Sequence, residues 1–450
     1  MNPLSTIANK LDDDPQMACK PVKVCAIRAS RTLALILILL LVFPPSSQGY
    51  SVLAHEAIVD SAWDEAIKPL LLKRFPQASH EDLMTAHGYA YGGCIIQDMG
   101  YYPFGSKFFS DLVHYVRSGD FVEALLRDSQ NINEYAFALG ALAHYAADNE
   151  GHRTGTNLAV PILYPKLRRK YGDVVTYDEN PLAHLKTEFG FDVLQVAKGR
   201  YASDAYREHL GFQVSKDLLA RAFEETYSLD LDSVLSDYDL AISSYRRGVS
   251  KLVPEATKIA WQTDKDEIQK GSPGIKRTAF LYRVSRSDYE KQWPGRYAKP
   301  EFGTRLLAFF VRLIPKVGPF QVLAFKIPTP ETEKLFVASF ANALQKYEEL
   351  TAEDSSSGKV DLLNDNFDTG TVTSPGQYPL ADNTYADLMD RLQKNNFSTI
   401  SPDLRDDLLA YYHDLNAPFA TKKNKKEWVR VVGEVNQLKE LGGGGQTVSK

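Results

Sequence analysis

The residues with the clearest chemical potential are histidines and acidic residues that recur four positions apart. His144 is followed by Asp148 and His152 at this interval, and a second pair, His184 and Glu188, lies downstream. Side chains four residues apart leave the same face of a helix, so each pair can converge on one cation. One such pair alone is usually a salt bridge or a buried histidine, but two pairs close together favour a metal site.

Three more potential ligands precede these pairs, namely His55, Asp98 and His114. Imidazole nitrogen combined with carboxylate oxygen, without thiolate, is typical of catalytic zinc rather than structural zinc. The sequence motifs of zincin metalloproteases, serine hydrolases and P-loop nucleotide-triphosphatases are absent. We interpret the histidines without a partner at ligand spacing as surface or core residues: His80, His87, His209 and His413.

The elements that would position these residues are helices. Apolar residues recur every three or four positions over several segments, and no series of alternating strands is visible. These segments are 57–75, 108–116, 135–147, 184–196, 218–227 and 235–252. The pattern predicts an all-α fold, a multi-helix bundle with a further, mostly helical C-terminal part. Residues 157–181 contain several prolines and a glycine, and we expect a long connection there.

The candidate ligands all fall in the first part of the chain, where residues 50–263 are predicted to form one helical domain. The composition changes after this point, as Gly, Pro and charged residues become frequent. Residues 351–383 are rich in Ser, Gly, Asp and Asn, which indicates a polar linker or loop. The other predicted segments are a helical extension of unknown role at 264–350, C-terminal helices at 384–441 and a flexible tail at 442–450.

Two stretches of the extension have distinct patterns. Residues 306–327 are apolar but interrupted by charged residues and prolines, so they do not form a membrane span. They are either a basic, Phe-rich surface that rests on lipid or a buried helix-turn-helix. Residues 333–350 are predicted to form an amphipathic helix with Phe336, Phe340 and Tyr347 along one face.

Residues 1–49 have the pattern of a secretory signal peptide. Their apolar run, residues 33–43, follows several basic residues and is shorter than the roughly 20 residues of a membrane span. Cleavage would make Tyr50 the new N-terminus and leave Cys94 as the sole cysteine, in an exported protein that is periplasmic or secreted. An uncleaved membrane anchor and a translation start at Met17 are alternatives.

The composition limits the function classes. The 450 residues are 44% hydrophobic and 24% charged, as in soluble globular proteins, which excludes disordered and collagen-like chains. The formal net charge of -5 argues against a general nucleic-acid binder, because affinity for a phosphate backbone requires an excess of Lys and Arg. No specific nucleic-acid partner is therefore expected.

The order of the candidate ligands resembles that of the bacterial zinc-dependent phospholipases C, a superfamily shared with fungal single-strand-specific nucleases. The resemblance covers about residues 50–261 and implies an all-helical domain that holds three zinc ions. The ligand sets that it implies are Asp98, His114, His144 and Asp148 for the first ion, the amine and carbonyl of Tyr50 with His55 and a bridging Asp148 for the second, and His152, His184 and Glu188 for the third.

The resemblance also implies an activity. It predicts an enzyme that cleaves glycerophospholipids by a metal-activated hydroxide, with Asp98 and Asp148 as catalytic carboxylates. Its partner would be a phospholipid or another phosphodiester substrate, and a peripheral contact with the membrane is compatible with this. The alternatives are a single-strand nuclease or nucleotidase of the same superfamily, and a noncatalytic metal-binding envelope protein.

Overall fold

A computed structural model describes residues 52–101, 104–197, 213–235, 237–247, 325–357 and 359–443. These residues all belong to one compact unit of the chain. The helices of its first part are α1 (Val52–Ala62), α2 (Lys68–Arg74), α3 (His80–Ile95), α4 (Lys107–Tyr115), α5 (Ser118–Asp128), α6 (Ile132–Gly151), α7 (Asn157–Leu163), α8 (Pro165–Tyr171), α9 (Pro181–Ala197), α10 (Lys216–Tyr227), α11 (Leu231–Val234) and α12 (Tyr238–Arg247).

The second part of the described chain is also helical. Its only described strands, β1 (Asp365–Asn366) and β2 (Thr371–Val372), form a two-stranded antiparallel sheet in which Asp365 pairs with Val372. The remaining elements are α13 (Pro330–Ser357), α14 (Pro379–Lys394), α15 (Pro402–Tyr411) and α16 (Lys425–Gly443). The predicted all-α fold is confirmed.

Helix α6 is the central element of the bundle. Its residues from Tyr135 to Asn149 are buried on every side, which its continuous run of apolar and small residues favours. The Asn131 side chain caps its start by accepting hydrogen bonds from the main-chain N–H groups of Asn133 and Glu134. At its end a π-helical turn, His152–Thr156, leads directly into α7. The rod from Ile132 to Leu163 therefore has one wider turn, and such turns are frequent at functional sites.

Two glycines allow α3 to cross α6 at short range. A Cβ atom on Gly140 would lie 2.0 Å from the Ala90 carbonyl oxygen, and one on Gly93 would lie 1.9 Å from that of Phe137. Only glycine fits at such a crossing, because both obstacles are main-chain atoms. The crossing brings the carbonyl of Cys94 to the side chain of His144.

The segment predicted as a long connection, residues 157–181, contains the helices α7 and α8 and the start of α9, so the prediction of a connection is wrong. The prolines explain the difference. Pro165 and Pro181 stand at the first positions of their helices, where no N–H group is required. Pro161 lies inside α7, and the carbonyl of Asn157 accepts a hydrogen bond from Val175 N instead (3.0 Å).

The C-terminal part packs against the bundle rather than following it as a separate unit. Helix α13 is longer than the predicted helix at 333–350, and its Phe336 and Tyr347 are buried as expected. The prediction of a linker or loop at 351–383 is wrong at both ends of this range, which are helical. Helix α13 continues to Ser357, α14 begins at Pro379, and the loop between them is packed against α5 and α6.

Helices were predicted in the stretch 384–441, and the structure has them with different ends. The tyrosines of α14 and α15 form part of their contact: the rings of Tyr385 and Tyr411 stack at 3.6 Å. The buried carboxylate of Asp382 accepts hydrogen bonds from Tyr411 Oη (2.6 Å) and from Ala420 N (2.6 Å). This network fixes the C-terminal helices to each other.

Among the described residues, no helix is both long enough and apolar enough to cross a membrane. The predicted signal peptide at 1–49 and the ligand candidate Tyr50 lie outside the described residues. So does the lipid-facing or buried segment at 306–327, apart from its last three residues. The predicted start of the domain at residue 50 and its end at residue 263 lie outside them as well.

Candidate metal centre

The rod formed by α6, the π-helical turn and α7 supplies three of the candidate ligands. His144, Asp148 and His152 follow one another at intervals of four residues and are at most 2% exposed. Each interval of four residues advances the side chain by about 40° around a helix, so the three side chains form a short, slightly curved row. The remaining candidates reach this row from α1, the 3₁₀ turn after α3, α4 and α9.

The carboxylate of Asp148 is the centre of the cluster. Its Oδ1 lies 3.3 Å from His55 Nε2 and 3.6 Å from His152 Nε2. Its Oδ2 lies 3.1 Å from His144 Nε2 and 3.5 Å from His114 Nε2. The two oxygens therefore face different histidines, as a carboxylate that bridges two cations would.

Three of these histidines are oriented through their other ring nitrogen. The acceptors of the Nδ1 atoms are Ser110 O for His114 (2.7 Å), Cys94 O for His144 (2.8 Å) and Asp368 Oδ1 for His152 (2.9 Å). Carbonyl and carboxylate oxygens only accept, so Nδ1 donates a proton in each case, and Nε2 is the nitrogen that can bind a cation once its own proton is lost. Nε2 is also the nitrogen that faces the carboxylates.

Within 4.8 Å of one another, the candidate ligand atoms form three buried groups. They are His55, His144 and Asp148; Asp98, His114 and His144; and His152, His184 and Glu188. The third group contains a 2.8 Å contact between His184 Nε2 and Glu188 Oε1, and a 3.6 Å contact from the same oxygen to His152 Nε2. The sequence-predicted residues are thus brought together, apart from Tyr50, which the structure does not describe.

The titration of these groups is strongly shifted. Burial lowers the pKa of His55 well below its usual value, and the adjacent His144 lowers it further. Burial also opposes the charged form of His114, but Asp148 and Asp98 raise its pKa to about 9. The pKa of Asp148 lies well below its usual range, because the surrounding histidines outweigh the effect of burial. Burial raises the pKa values of Asp98 and Glu188.

The donor set fits zinc. The buried atoms Asp98 Oδ1, His114 Nε2, His144 Nε2, His152 Nε2, His184 Nε2 and Glu188 Oε1 make no hydrogen bond of normal geometry. Acceptors that face acceptors in a buried cluster repel one another unless protons or cations stand between them. Mixed nitrogen and oxygen ligands without sulfur suit a catalytic zinc site.

Asp368 is a site residue that sequence reasoning missed. It is 2% exposed, and its Oδ1 lies 2.9 Å from His152 Nδ1 and 4.0 Å from His184 Nε2. It belongs to the loop between β1 and β2, where no helical spacing could link it to a histidine. The only local signal was an apolar residue, Phe367, within a polar stretch.

The histidines interpreted as structural stay outside the three groups wherever the structure describes them. His87 stacks on Trp63 at 3.7 Å and lies 3.2 Å from Asp60. His413 is exposed and forms a hydrogen bond with Ala410 O (2.8 Å). His209 lies outside the described residues.

Comparison with known proteins agrees with this geometry. Residues 54–236 match the model of the family described as zinc dependent phospholipase C. No curated protein and no solved structure matches the chain. The matched segment contains all of the described candidate ligands, whereas Asp368 lies far beyond its end. The segment 54–236, which holds the three ligand groups, is thus similar to the zinc-dependent phospholipase C family.

Proposed function

We propose that the protein is an exported zinc-dependent hydrolase that cleaves glycerophospholipids, releasing diacylglycerol and a phosphorylated head group. The observation that carries this proposal is the arrangement of three buried ligand groups around the two oxygens of Asp148. The family of residues 54–236 supports the reaction class. The proposed number of zinc ions is three, one for each group.

The protein's residues would contribute mainly by preorganisation. Ser110 O and Cys94 O hold the rings of His114 and His144, so that their Nε2 atoms face Asp148 before any ion arrives. When bound, zinc supplies a Lewis acid for a phosphoryl oxygen and lowers the pKa of a water molecule to about 7. The complete burial of Asp148 keeps bulk water away from its charge, which strengthens every electrostatic interaction around it.

Turnover measurements test the substrate class. The protein is assayed with phosphatidylcholine vesicles and with single-stranded DNA, each with and without a chelator, and diacylglycerol and nucleotides are quantified. We expect diacylglycerol release that the chelator abolishes and zinc restores. Chelator-sensitive cleavage of DNA alone would instead identify a nuclease. If neither substrate is turned over in a zinc-dependent manner, both enzyme hypotheses are wrong, and the protein is a noncatalytic metal-binding protein.

Substitution of Asp148 tests the bridging role. Asp148→Ala removes the carboxylate that is proposed to bridge the first and second ions, so we expect the loss of two of three zinc ions and nearly all turnover. Zinc content by elemental analysis is the primary measurement. Glu150→Gln is the matched control, because Glu150 lies two residues further on the same helix and pairs with Arg153 instead. Full zinc content in Asp148→Ala would contradict the bridging role.

Export and processing form a separate part of the proposal. Removal of residues 1–49 would give Tyr50 a free amine, which is a good zinc ligand once deprotonated. We expect the intact mass of the exported protein to correspond to a chain that begins at Tyr50. A chain with one residue added before Tyr50 should bind one zinc ion less tightly. Equal zinc affinity in both chains would argue against ligation by this residue.

A contact with the membrane surface is the last part of the proposal, because the proposed substrate lies in a bilayer. The candidate surface is the stretch 306–327, whose composition is basic and rich in Phe. Sedimentation with phosphatidylcholine vesicles measures this contact. Replacement of Phe309 and Phe310 by Ser should weaken it, whereas unchanged sedimentation of this variant would argue against the surface.

A further inference from the structure

The loop between β1 and β2 enters the metal cluster from a part of the chain outside the family match. Phe367 N donates a hydrogen bond to His114 O (3.1 Å), and the Phe367 ring lies 5.2 Å from the His114 ring and 5.8 Å from the His144 ring. These contacts fix the loop beside the first two ligand groups. The next residue, Asp368, then reaches the third group.

Asp368 is held from several directions. Its Oδ2 accepts hydrogen bonds from Tyr177 N (2.9 Å) and Tyr378 Oη (2.8 Å). Its main-chain N donates to Asn366 Oδ1 (2.9 Å), and its carbonyl accepts from Asn157 Nδ2 (2.6 Å). The remaining oxygen, Oδ1, is thereby aimed at His152 Nδ1, 2.9 Å away. A buried carboxylate needs a partner for its charge, because an unpaired buried charge is costly. His152 is the partner that the orientation of Oδ1 selects.

We propose that Asp368 is the positioning carboxylate of the ion held by His152, His184 and Glu188, so that the C-terminal part of the chain completes a metal group of the family domain. Its Oδ1 fixes the proton on His152 Nδ1 and turns Nε2 toward Glu188 Oε1, 3.6 Å away. A carboxylate in this position also makes the imidazole a stronger ligand. This inference rests on the proposed zinc-dependent function.

A role as a direct ligand fits the contacts less well. Oδ2 is already engaged by Tyr177 N and Tyr378 Oη, and Oδ1 accepts the His152 proton. His184 Nε2 lies 4.0 Å from Oδ1 but only 2.8 Å from Glu188 Oε1, so His184 points to Glu188. Asp368 therefore acts through His152.

Zinc affinity of substituted full-length proteins tests the inference. Asp368→Asn keeps the shape of the side chain, but it removes the charge and replaces one of the two accepting oxygens with a donating NH2 group. Zinc affinity is measured by competition with a chelating dye, and cobalt replaces zinc for absorption spectra. We expect one ion to bind about 10- to 100-fold more weakly and the cobalt spectrum to change, because such carboxylates typically contribute this much to metal affinity.

Two control variants separate positioning from a general effect on the loop. Asp365→Asn removes a carboxylate of the adjoining strand β1, whose partner is Tyr145 Oη (3.2 Å), and it should bind zinc like the wild type. Tyr378→Phe removes one support of Asp368 but keeps its charge, and it should weaken zinc binding much less than Asp368→Asn. Melting of the metal-free proteins shows whether each variant folds.

The outcomes are distinct. Wild-type zinc affinity in Asp368→Asn would overturn the inference while the proposed function stands. An equal loss in Tyr378→Phe and Asp368→Asn would also overturn it, since Asp368 would then only hold the loop. A wild-type protein that binds no zinc would overturn the proposed function itself.

Discussion

Burial raises the pKa of Asp407 to about 6, whereas the imidazoles around Asp148 hold the pKa of that carboxyl well below its usual range. The Asp407 carboxyl lies 3.4 Å from Tyr385 Oη at the contact between α15 and α14, and Arg117 offsets only part of the effect of burial. The pKa values of these two aspartates are thus shifted in opposite directions, because the histidines around Asp148 outweigh the effect of burial and Arg117 near Asp407 does not.

This shift predicts a pH dependence of stability. The folded protein binds a proton at Asp407 below pH 6, whereas the unfolded chain binds it only below about 4. Between these values the folded state holds more protons, so the contribution of Asp407 to stability is lost as the pH rises. Asp407→Asn should therefore raise the free energy of unfolding by about 3 kcal/mol at pH 7.5 and change it little at pH 4.

Urea unfolding at the two pH values measures this difference. Asp406→Asn is the matched control, because Asp406 is exposed and pairs with Arg405 on the surface. A gain at pH 7.5 in the control as large as that in Asp407→Asn would show that net charge, and not the burial of Asp407, is responsible.

Single residues also show how far the site could be predicted from the sequence. His144, Asp148, His184 and Glu188 were recognisable because a helix converts an interval of four residues into a shared face. Asp368 was not, because a loop has no fixed relation between spacing and direction. Its partnership with His152 depends on contacts more than 200 residues apart in sequence.

At the scale of elements, the crossing of α3 and α6 connects packing with the metal site. The close approach at Gly93 and Gly140 brings the Cys94 carbonyl within 2.8 Å of His144 Nδ1. A larger residue at the crossing would separate the two helices and move this acceptor. The orientation of His144 thus depends on residues that touch no ligand atom.

A methyl group at this crossing should be costly. In Gly140→Ala the new Cβ would lie 2.0 Å from the Ala90 carbonyl oxygen, so we expect a loss of about 1–3 kcal/mol in unfolding free energy. Gly433→Ala is the control, since Gly433 lies in α16 with no atom within 4 Å of the new Cβ. It should stabilise the protein by up to about 1 kcal/mol. Thermal melting of both variants measures the two changes in stability, which should have opposite signs. Equal shifts in melting temperature would contradict the close approach of α3 and α6.

The sequence predicted the helices better than their ends or the chain between them. Helix α13 was visible from the apolar face that includes Phe336 and Tyr347, which are indeed buried. The residues 157–181 were misinterpreted because proline interrupts a sequence pattern even where the structure accommodates it. At Pro161 the freed carbonyl of Asn157 finds Val175, a partner that no local rule could supply.

At the scale of the whole molecule, the family domain shares one core with the C-terminal part. Tyr347 of α13 is fully buried against α6, and its hydroxyl donates to Leu139 O (3.1 Å). Tyr145 of α6 likewise donates to Leu363 O (2.9 Å) in the loop before β1. A single apolar cluster includes residues from Val52 to Leu438. The match to residues 54–236 therefore does not coincide with the limits of this apolar core.

Truncation tests this shared core. A chain that ends at residue 263 would lose α13 and the loop with Phe367, and would expose the side of α6 that they cover. Each large apolar side chain buried there contributes about 1.5–3 kcal/mol, and several together equal the net stability of a typical domain, about 5–15 kcal/mol. We therefore expect no cooperative melting, weak near-ultraviolet circular dichroism and binding of a hydrophobic dye. Removal of residues 444–450 alone, the control, should leave melting unchanged. Cooperative melting of the truncated chain at the wild-type temperature would show instead that the domain folds without its C-terminal part.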